Sequence, residues 1–253
     1  MKISVVIITF NEQDRLAGAL ESCRAIADEM VVVDSYSTDE TLAIAKKFNA
    51  RIFQHRFQDY GSQKNFALGK ARHPWILNLD ADEQVSDQLN MEILKLKQGE
   101  EPEVGGFLIK RRSRYLGRWI RHSGWYPDRK LRLFKKESAR WEGRIHERLV
   151  LDGRLRPLAG DILHYTYRNI ADHVARLNRY STFQSEEIRR QRKSCLLLRA
   201  LLLPPITFLR HYVWRLGFLD GYPGLVIALI SSWGTAMKYL KAIELKKENR
   251  PII

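Results

Sequence analysis

The sequence predicts an α/β domain with a mostly parallel sheet, followed by a helical extension that is both basic and apolar. Three observations carry this expectation. Apolar, β-branched runs alternate with amphipathic helical patterns through the first 80 residues, strand to helix and back, as in a parallel sheet covered on both faces. Clusters of Asp, Asn and Glu follow three of the four strand runs. After residue 165, long apolar stretches broken by Arg and Lys replace the strand pattern.

Ile3 to Phe10 is nearly all apolar and reads as a central strand buried on both faces. Asn11-Glu12 breaks it. Leu16, Ala19, Leu20, Cys23 and Ile26 then recur at helical spacing, predicting a helix from about Gln13 to Ala27. Met30 to Asp34 is a second strand and 35–39 a polar turn, where Thr38 or Asp39 can cap a helix running through Phe48. Arg51 to His55 is a shorter strand, Gly61 to Ala71 a helix, and Pro74 precedes a fourth strand, Trp75 to Leu79. In such sheets ligands bind beyond the carboxyl ends of the strands. That makes Thr9, Asn11 and Glu12, then Asp34 to Asp39, then Asp80 to Glu83 the candidate residues. An isolated Asp34 also reads as a turn-forming residue. No G-x-G-x-x-G follows the first strand, which argues against a dinucleotide site.

The fourth strand ends in Asp80-Ala81-Asp82-Glu83. Two carboxylates spaced i, i+2 on a tight turn can converge on a hard cation. Mg²⁺ or Mn²⁺ suits such a site because both take oxygen ligands and share coordination with substrate phosphates. The plain alternative is a strand end before a helix N-terminus, where acids are common.

The chain has 253 residues, 45% of them apolar, and a formal net charge of +14. That excess points to an anionic partner: nucleotide phosphates, nucleic acid or an anionic membrane surface. It is uneven, with sixteen Lys/Arg against five Asp/Glu between Lys110 and Arg156. Two cysteines, Cys23 and Cys195, suggest neither a disulfide framework nor a thiolate metal site, as expected in a reducing cytosol. The N-terminus lacks the pattern of a signal peptide.

Val5 to Glu12 (V-V-I-I-T-F-N-E), Val31 to Thr41 (V-V-V-D-S-Y-S-T-D-E-T) and Leu79 to Glu83 (L-D-A-D-E) resemble, in order and spacing, the N-terminal motifs of family 2 glycosyltransferases with the GT-A fold. The nearest subgroup by resemblance is the WaaE/KdtX-like enzymes, which add glucose to the lipopolysaccharide inner core. Tyr36 departs from it, standing where the subgroup usually has Gly. The resemblance implies that Asp34 contacts the uracil or ribose of a nucleotide-sugar donor, with Thr9, Asn11 and Glu12 lining the same pocket. It also places Lys64 near the base or phosphates, though a solvated helix lysine is the plain reading. Asp80 and Asp82 would hold the diphosphate, Asp82 through the metal. A divalent ion across both phosphates makes the diphosphate a workable leaving group.

The second half of the domain, 96–165, adds a strand over Val104 to Arg111 and a segment dense in Arg, Trp and Tyr through Arg140. Arginines interleaved with aromatics suit phosphates plus stacked bases or sugars, so a nucleic-acid-binding protein is a rival reading, the less favoured one. Lys130 to Phe134 alternates like a half-buried strand. Ile145-His146-Glu147 matches a His-Glu pair of the resembled subgroup. It makes Glu147 or Asp128 the candidate general base and His146 a further metal or phosphate contact. His164 receives no role. The extension, 166–253, contains a helix from Asn169 to Arg192, an apolar run Cys195 to Leu203 closed by Pro204-Pro205, and a 14-residue apolar stretch from Gly224 to Met237. Neither run reaches the ~20 residues of a membrane span. Flanking Arg and Lys suit helices lying in an anionic leaflet. The expectation is therefore a glycosyltransferase on the cytoplasmic side of the bacterial inner membrane. It would move a hexose, glucose from UDP-glucose, onto an anionic lipopolysaccharide-core or lipid-linked acceptor. A polyprenyl-phosphate acceptor is the alternative.

Overall fold

The structure, a computed structural model, describes residues 1–137, 139–143, 148–191 and 194–247. Contacts divide the chain into two compact units, one of 1–111 with 128–164, the other of 112–127 with 165–253.

The first unit begins with the alternation read from the sequence: Ile3–Thr9 (β1), Leu16–Cys23 (α1), Glu29–Asp34 (β2), Thr41–Lys47 (α2), Arg51–Gln54 (β3), Tyr60–Lys70 (α3) and Trp75–Asp80 (β4). These four strands are parallel in the order β3-β2-β1-β4. Ile3, Val5 and Ile7 face one side of the sheet and pack with Leu16, Leu20 and Cys23 of α1; Val6, Val31 and Val33 meet Ala67 and Leu68 of α3 on the other. Burial pushes the Cys23 thiol up to about 12, as expected of an inert core cysteine. α1 is shorter than its apolar spacing suggests. Asn11 takes a left-handed φ of 52°, and the chain turns through 12–15 before the helix starts. α2 has no side-chain cap at its N-cap residue; instead Asp39 Oδ1 accepts the Thr41 amide at 3.0 Å. Asp59 caps α3 through the Ser62 amide at 2.7 Å.

The rest of the first unit makes the sheet mixed. Glu83–Val85 (β5), Asp87–Gln98 (α4), Gly106–Tyr115 (β6), Arg118–Trp119 (β7), Asp128–Lys135 (β8), Arg140–Glu142 (β9), Arg148–Val150 (β10) and Leu155–His164 (β11) follow. The full order is β3-β2-β1-β4-β8-β6-β11-β5, with β8 antiparallel to both β4 and β6, and β5 antiparallel to β11. β9 and β10 form a separate antiparallel pair. β6 carries β7 at its far end, where the chain passes into the second unit.

That unit holds Ile170–Arg190 (α5), Leu196–Leu209 (α6), a π-helical turn Arg210–Trp214, a 3₁₀ turn Gly217–Asp220, and Tyr222–Lys247 (α7). The Arg/Trp/Tyr-rich segment 112–127 belongs to it. Asp220, buried, accepts from the backbone amides of Arg121 (3.1 Å) and His122 (2.9 Å). His173 stacks on Tyr167 and meets the Tyr115 hydroxyl at 2.9 Å through Nδ1. Burial depresses the His173 imidazole to about 4, which keeps it neutral. Pro204-Pro205 do not end α6, and the 14-residue apolar stretch forms the middle of the 26-residue α7.

Candidate active site

The polar residues after the parallel strands gather at one edge of the sheet. Register pairs Thr9 with Asp34 and Ile8 with Asp80, so the ends of β2, β1 and β4 lie level. With neighbouring strands about 4.8 Å apart, Asp34 and Asp80 flank β1 at a separation near ~10 Å. One nucleoside diphosphate can bridge that distance.

Asp34 is fully buried. Its Oδ2 accepts the Ser37 amide at 2.9 Å, its Oδ1 accepts the Ser37 hydroxyl, and Gln54 Nε2 approaches at 3.4 Å. These bonds fix the carboxylate while leaving lone pairs for a further donor. The turn behind it passes through Tyr36 at a left-handed φ of 64°. Asn11 laces this turn to the end of β1: its amide donates to Ser37 Oγ at 2.8 Å and its Oδ1 accepts the Thr38 amide at 2.8 Å. The Glu12 amide donates to Thr41 Oγ1, and the Glu12 carboxylate faces Arg15 at 4.0 Å. Asn11 and Glu12 thus build the wall of the site. Thr9 Oγ1 is buried at the same edge, with no hydrogen-bond partner among the described residues.

Around Asp80 the site is a chain of alternating charges. Lys64, buried, lies 3.5 Å from Asp80 Oδ1 and 4.5 Å from the centroid of Trp141. Arg132 Nη2 donates to Asp80 Oδ2 at 2.8 Å and to Glu83 Oε1 at 2.6 Å. Arg111 approaches the same Glu83 oxygen at 3.4 Å and holds Asp128 Oδ2 through Nε (3.0 Å) and Nη2 (2.8 Å). Burial alone would raise the Asp80 carboxyl, but Arg132 and Lys64 outweigh it and hold it far below the usual carboxylate range. Asp80 is therefore a permanent anion tied to two cations. Asp128 is similarly engaged, with Lys130 at 3.2 Å on its other oxygen.

Asp82 stands apart from this chain. Its Oδ2 lies 3.5 Å from Arg15 Nη1 and 3.4 Å from His164 Nε2. β11 delivers that imidazole, because His164 pairs with Glu83 of β5. Among the described residues no three His, Cys, Asp or Glu cluster as a closed metal cage. One carboxylate beside one imidazole nonetheless fits an ion that completes its coordination with diphosphate oxygens and water, as Mg²⁺ and Mn²⁺ do. Sequence reasoning gave His164 no role, whereas the structure sets it beside Asp82.

The profile of glycosyl transferase family 2 matches residues 4–149, which spans the ends of β1, β2 and β4 but not His164 at the end of β11. The chain belongs to glycosyltransferase family 2. A Rickettsia typhi protein named as an uncharacterized glycosyltransferase, RT0209, is 31% identical over 273 residues, covering 100% of this chain and 90% of its own. The lipopolysaccharide core biosynthesis glycosyltransferase LpsC of Rhizobium meliloti is 29% identical, covering 92% of this chain and 91% of its own. A crystal structure of Staphylococcus aureus TarS, residues 1–349, superposes with a TM-score of 0.50 at 17% identity, over 99% of this chain and 92% of that one. The architecture is the GT-A fold.

In this glycosyltransferase β9 is fastened over α3. Asn65 bonds both backbone groups of Trp141, donating Nδ2 to its carbonyl at 2.8 Å and accepting its amide at 2.9 Å. A side chain at Gly61 would meet the Gly143 carbonyl at 2.6 Å. The expected contacts His146 and Glu147, three and four positions after Gly143 in the sequence, lie outside the described residues.

Proposed function

We propose that this family 2 glycosyltransferase moves a hexose from a uridine diphosphate sugar, glucose being the expected sugar, with inversion onto a hydroxyl of a lipopolysaccharide-core or other lipid-linked glycan. The observation that carries this reading is the shared sheet edge bearing Asp34, Asp80 and the Asp82–His164 pair. A buried carboxylate accepts hydrogen bonds and donates none, so Asp34 suits the N–H edge of uracil or the ribose hydroxyls. Thr9 Oγ1 lies at the same edge to serve the nucleoside. Lys64 and Arg132 put positive charge beside the position of the diphosphate and keep Asp80 ionised and oriented. Asp82 and His164 would hold a divalent cation, which supplies charge neutralisation for the departing diphosphate.

In the transfer, the acceptor oxygen bonds to the anomeric carbon as the bond from that carbon to the diphosphate breaks. The acceptor proton passes to a general base on the face opposite the leaving group. Arg111 and Lys130 engage both oxygens of Asp128. Glu147 is therefore the favoured base, with Asp128 the alternative. The name of LpsC supports a core-oligosaccharide acceptor, which is itself anionic and would account for part of the +14.

The test is thermal stabilisation by a panel of sugar nucleotides with and without Mn²⁺. Stabilisation by a uridine diphosphate hexose that needs the metal and is lost in Asp82→Asn and in His164→Ala is the expected result. Stabilisation that ignores metal, or that survives Asp34→Ala, would overturn the assignment. For the base, Glu147→Gln is expected to lower kcat at least 100-fold with donor binding intact, and Asp128→Asn by far less.

A further inference from the structure

Helices α6 and α7 turn a large apolar face outward. Leu197, Leu198, Leu201, Leu202, Ile206 and Leu209 are all exposed, on the side of α6 away from Ala200, Leu203 and Thr207. Between the helices, hydroxyls join small and apolar side chains such as Ala200, Leu203 and Ala242. Thr207 Oγ1 meets Thr235 Oγ1 at 3.3 Å, and Ser232 donates to the Pro204 carbonyl at 2.8 Å. On α7 the exposed large residues Tyr222, Leu229, Trp233 and Leu240 fall on one stripe at helical spacing. A helix pair in water shows the opposite arrangement. Small and hydroxyl residues at the helix interface with leucines outside is the pattern of helices facing lipid.

We propose that this face of the second unit docks on an anionic phospholipid leaflet, lying in the headgroup region without crossing it. Charge selects this occupant. Between 194 and 246 there are six Lys/Arg against Asp220 and Glu244, and Asp220 is buried against Arg121 and His122. Arg199 and Arg210 punctuate the leucine face, and both are exposed. Two copies apposed through this face would bring like charges together, whereas a leaflet of phosphatidylglycerol offers the complement. Tyr222 and Trp233 suit the headgroup boundary. Leu196–Trp214, 19 residues, is long and apolar enough to span a bilayer by length and composition. The uncharged part between Arg199 and Arg210, however, rises only about 15 Å, half the ~30 Å hydrocarbon core. An interfacial position satisfies both the leucines and the arginines. This inference uses the second unit alone and stands whether or not the donor assignment holds.

The experiment is flotation of the full chain with vesicles of phosphatidylethanolamine and phosphatidylglycerol, against vesicles of phosphatidylcholine alone. Binding to the anionic vesicles is expected, weakening as salt rises. Leu198→Gln/Leu202→Gln/Leu209→Gln should reduce it at least about tenfold, since buried leucine surface drives insertion. Arg199→Gln/Arg210→Gln should cost about fivefold per charge. Circular dichroism melts matching the parent protein establish that both variants fold. Flotation that is absent, equal in the leucine variant, or equal on neutral vesicles overturns the proposal. So does retention after an alkaline carbonate wash, the mark of a spanning helix. A lipid-free dimer in light scattering that the leucine variant dissociates would assign the face to a second copy.

Discussion

Tyr36 holds a backbone conformation, φ 64°, that glycine adopts without strain, and its ring is 55% exposed, so little packing offsets the cost. Tyr36→Gly is expected to raise stability by about 1 kcal/mol in a urea melt, and Tyr36→Val to lower it by a similar amount. If Tyr36→Gly stabilises but weakens donor binding, the ring has a second use over the Asp34 turn. Arg132 is the opposite case, a residue on which neighbours depend. Arg132→Met would take the shared cation from the buried Glu83 and from the partly exposed Asp80, at a cost of up to about 3 kcal/mol once solvent screening of Asp80 is allowed for. Asp80 is held below its ordinary value, so its ion pairs stabilise the fold above the unfolded carboxylate range, near pH 4. That contribution fades as pH falls further. At this scale the strand-end positions of Asp34 and Asp80 were legible because each ends an apolar strand. The commitment of Asp80 to Arg132 was not, because it arises from β8 lying beside β4, a pairing between residues about fifty positions apart.

Among elements, the fastening of β9 to α3 has the clearest consequence. Asn65→Ala removes two hydrogen bonds to the Trp141 backbone and should cost about 1–3 kcal/mol. Gly61→Ala forces the Gly143 carbonyl away. Because Gly143 leads into the segment carrying Glu147, Gly61→Ala is expected to lower kcat several-fold while leaving nucleotide affinity within a factor of two. Equal losses in both would assign the effect to α3 instead. The four parallel strands and their helices could be read from the sequence because apolar period and turn residues agree there. β5 could not, being three residues long and hidden in an acidic cluster. β11 could not either: Leu-Arg-Pro-Leu-Ala-Gly-Asp-Ile-Leu-His mixes charge, Pro and Gly into a strand whose pairing, not its composition, defines it. Missing β11 is why His164 received no role.

For the molecule as a whole, the second unit carries its own pH response. His173 is neutral when folded, at about 4, while an unfolded histidine titrates near 6.5. The unfolded chain takes up the proton first, so this group adds stability as pH rises from 4 to 6.5 and nothing further above it. The difference in unfolding free energy between parent and His173→Gln should grow by up to about 2–3 kcal/mol across that window. A constant difference would mean that the Tyr167–His173 stack acts through packing alone.

The Asp82–His164 pair also bears on how the enzyme matures. During synthesis the carboxylate appears roughly eighty residues before its imidazole, and the parallel half of the sheet needs nothing beyond β4 to pair. A nascent chain can thus bring Asp34 and Asp80 to one strand edge early. His164 reaches Asp82 only when β11 threads back beside β6. Ribosome-tethered chains halted before that return would lack the Asp82–His164 contact.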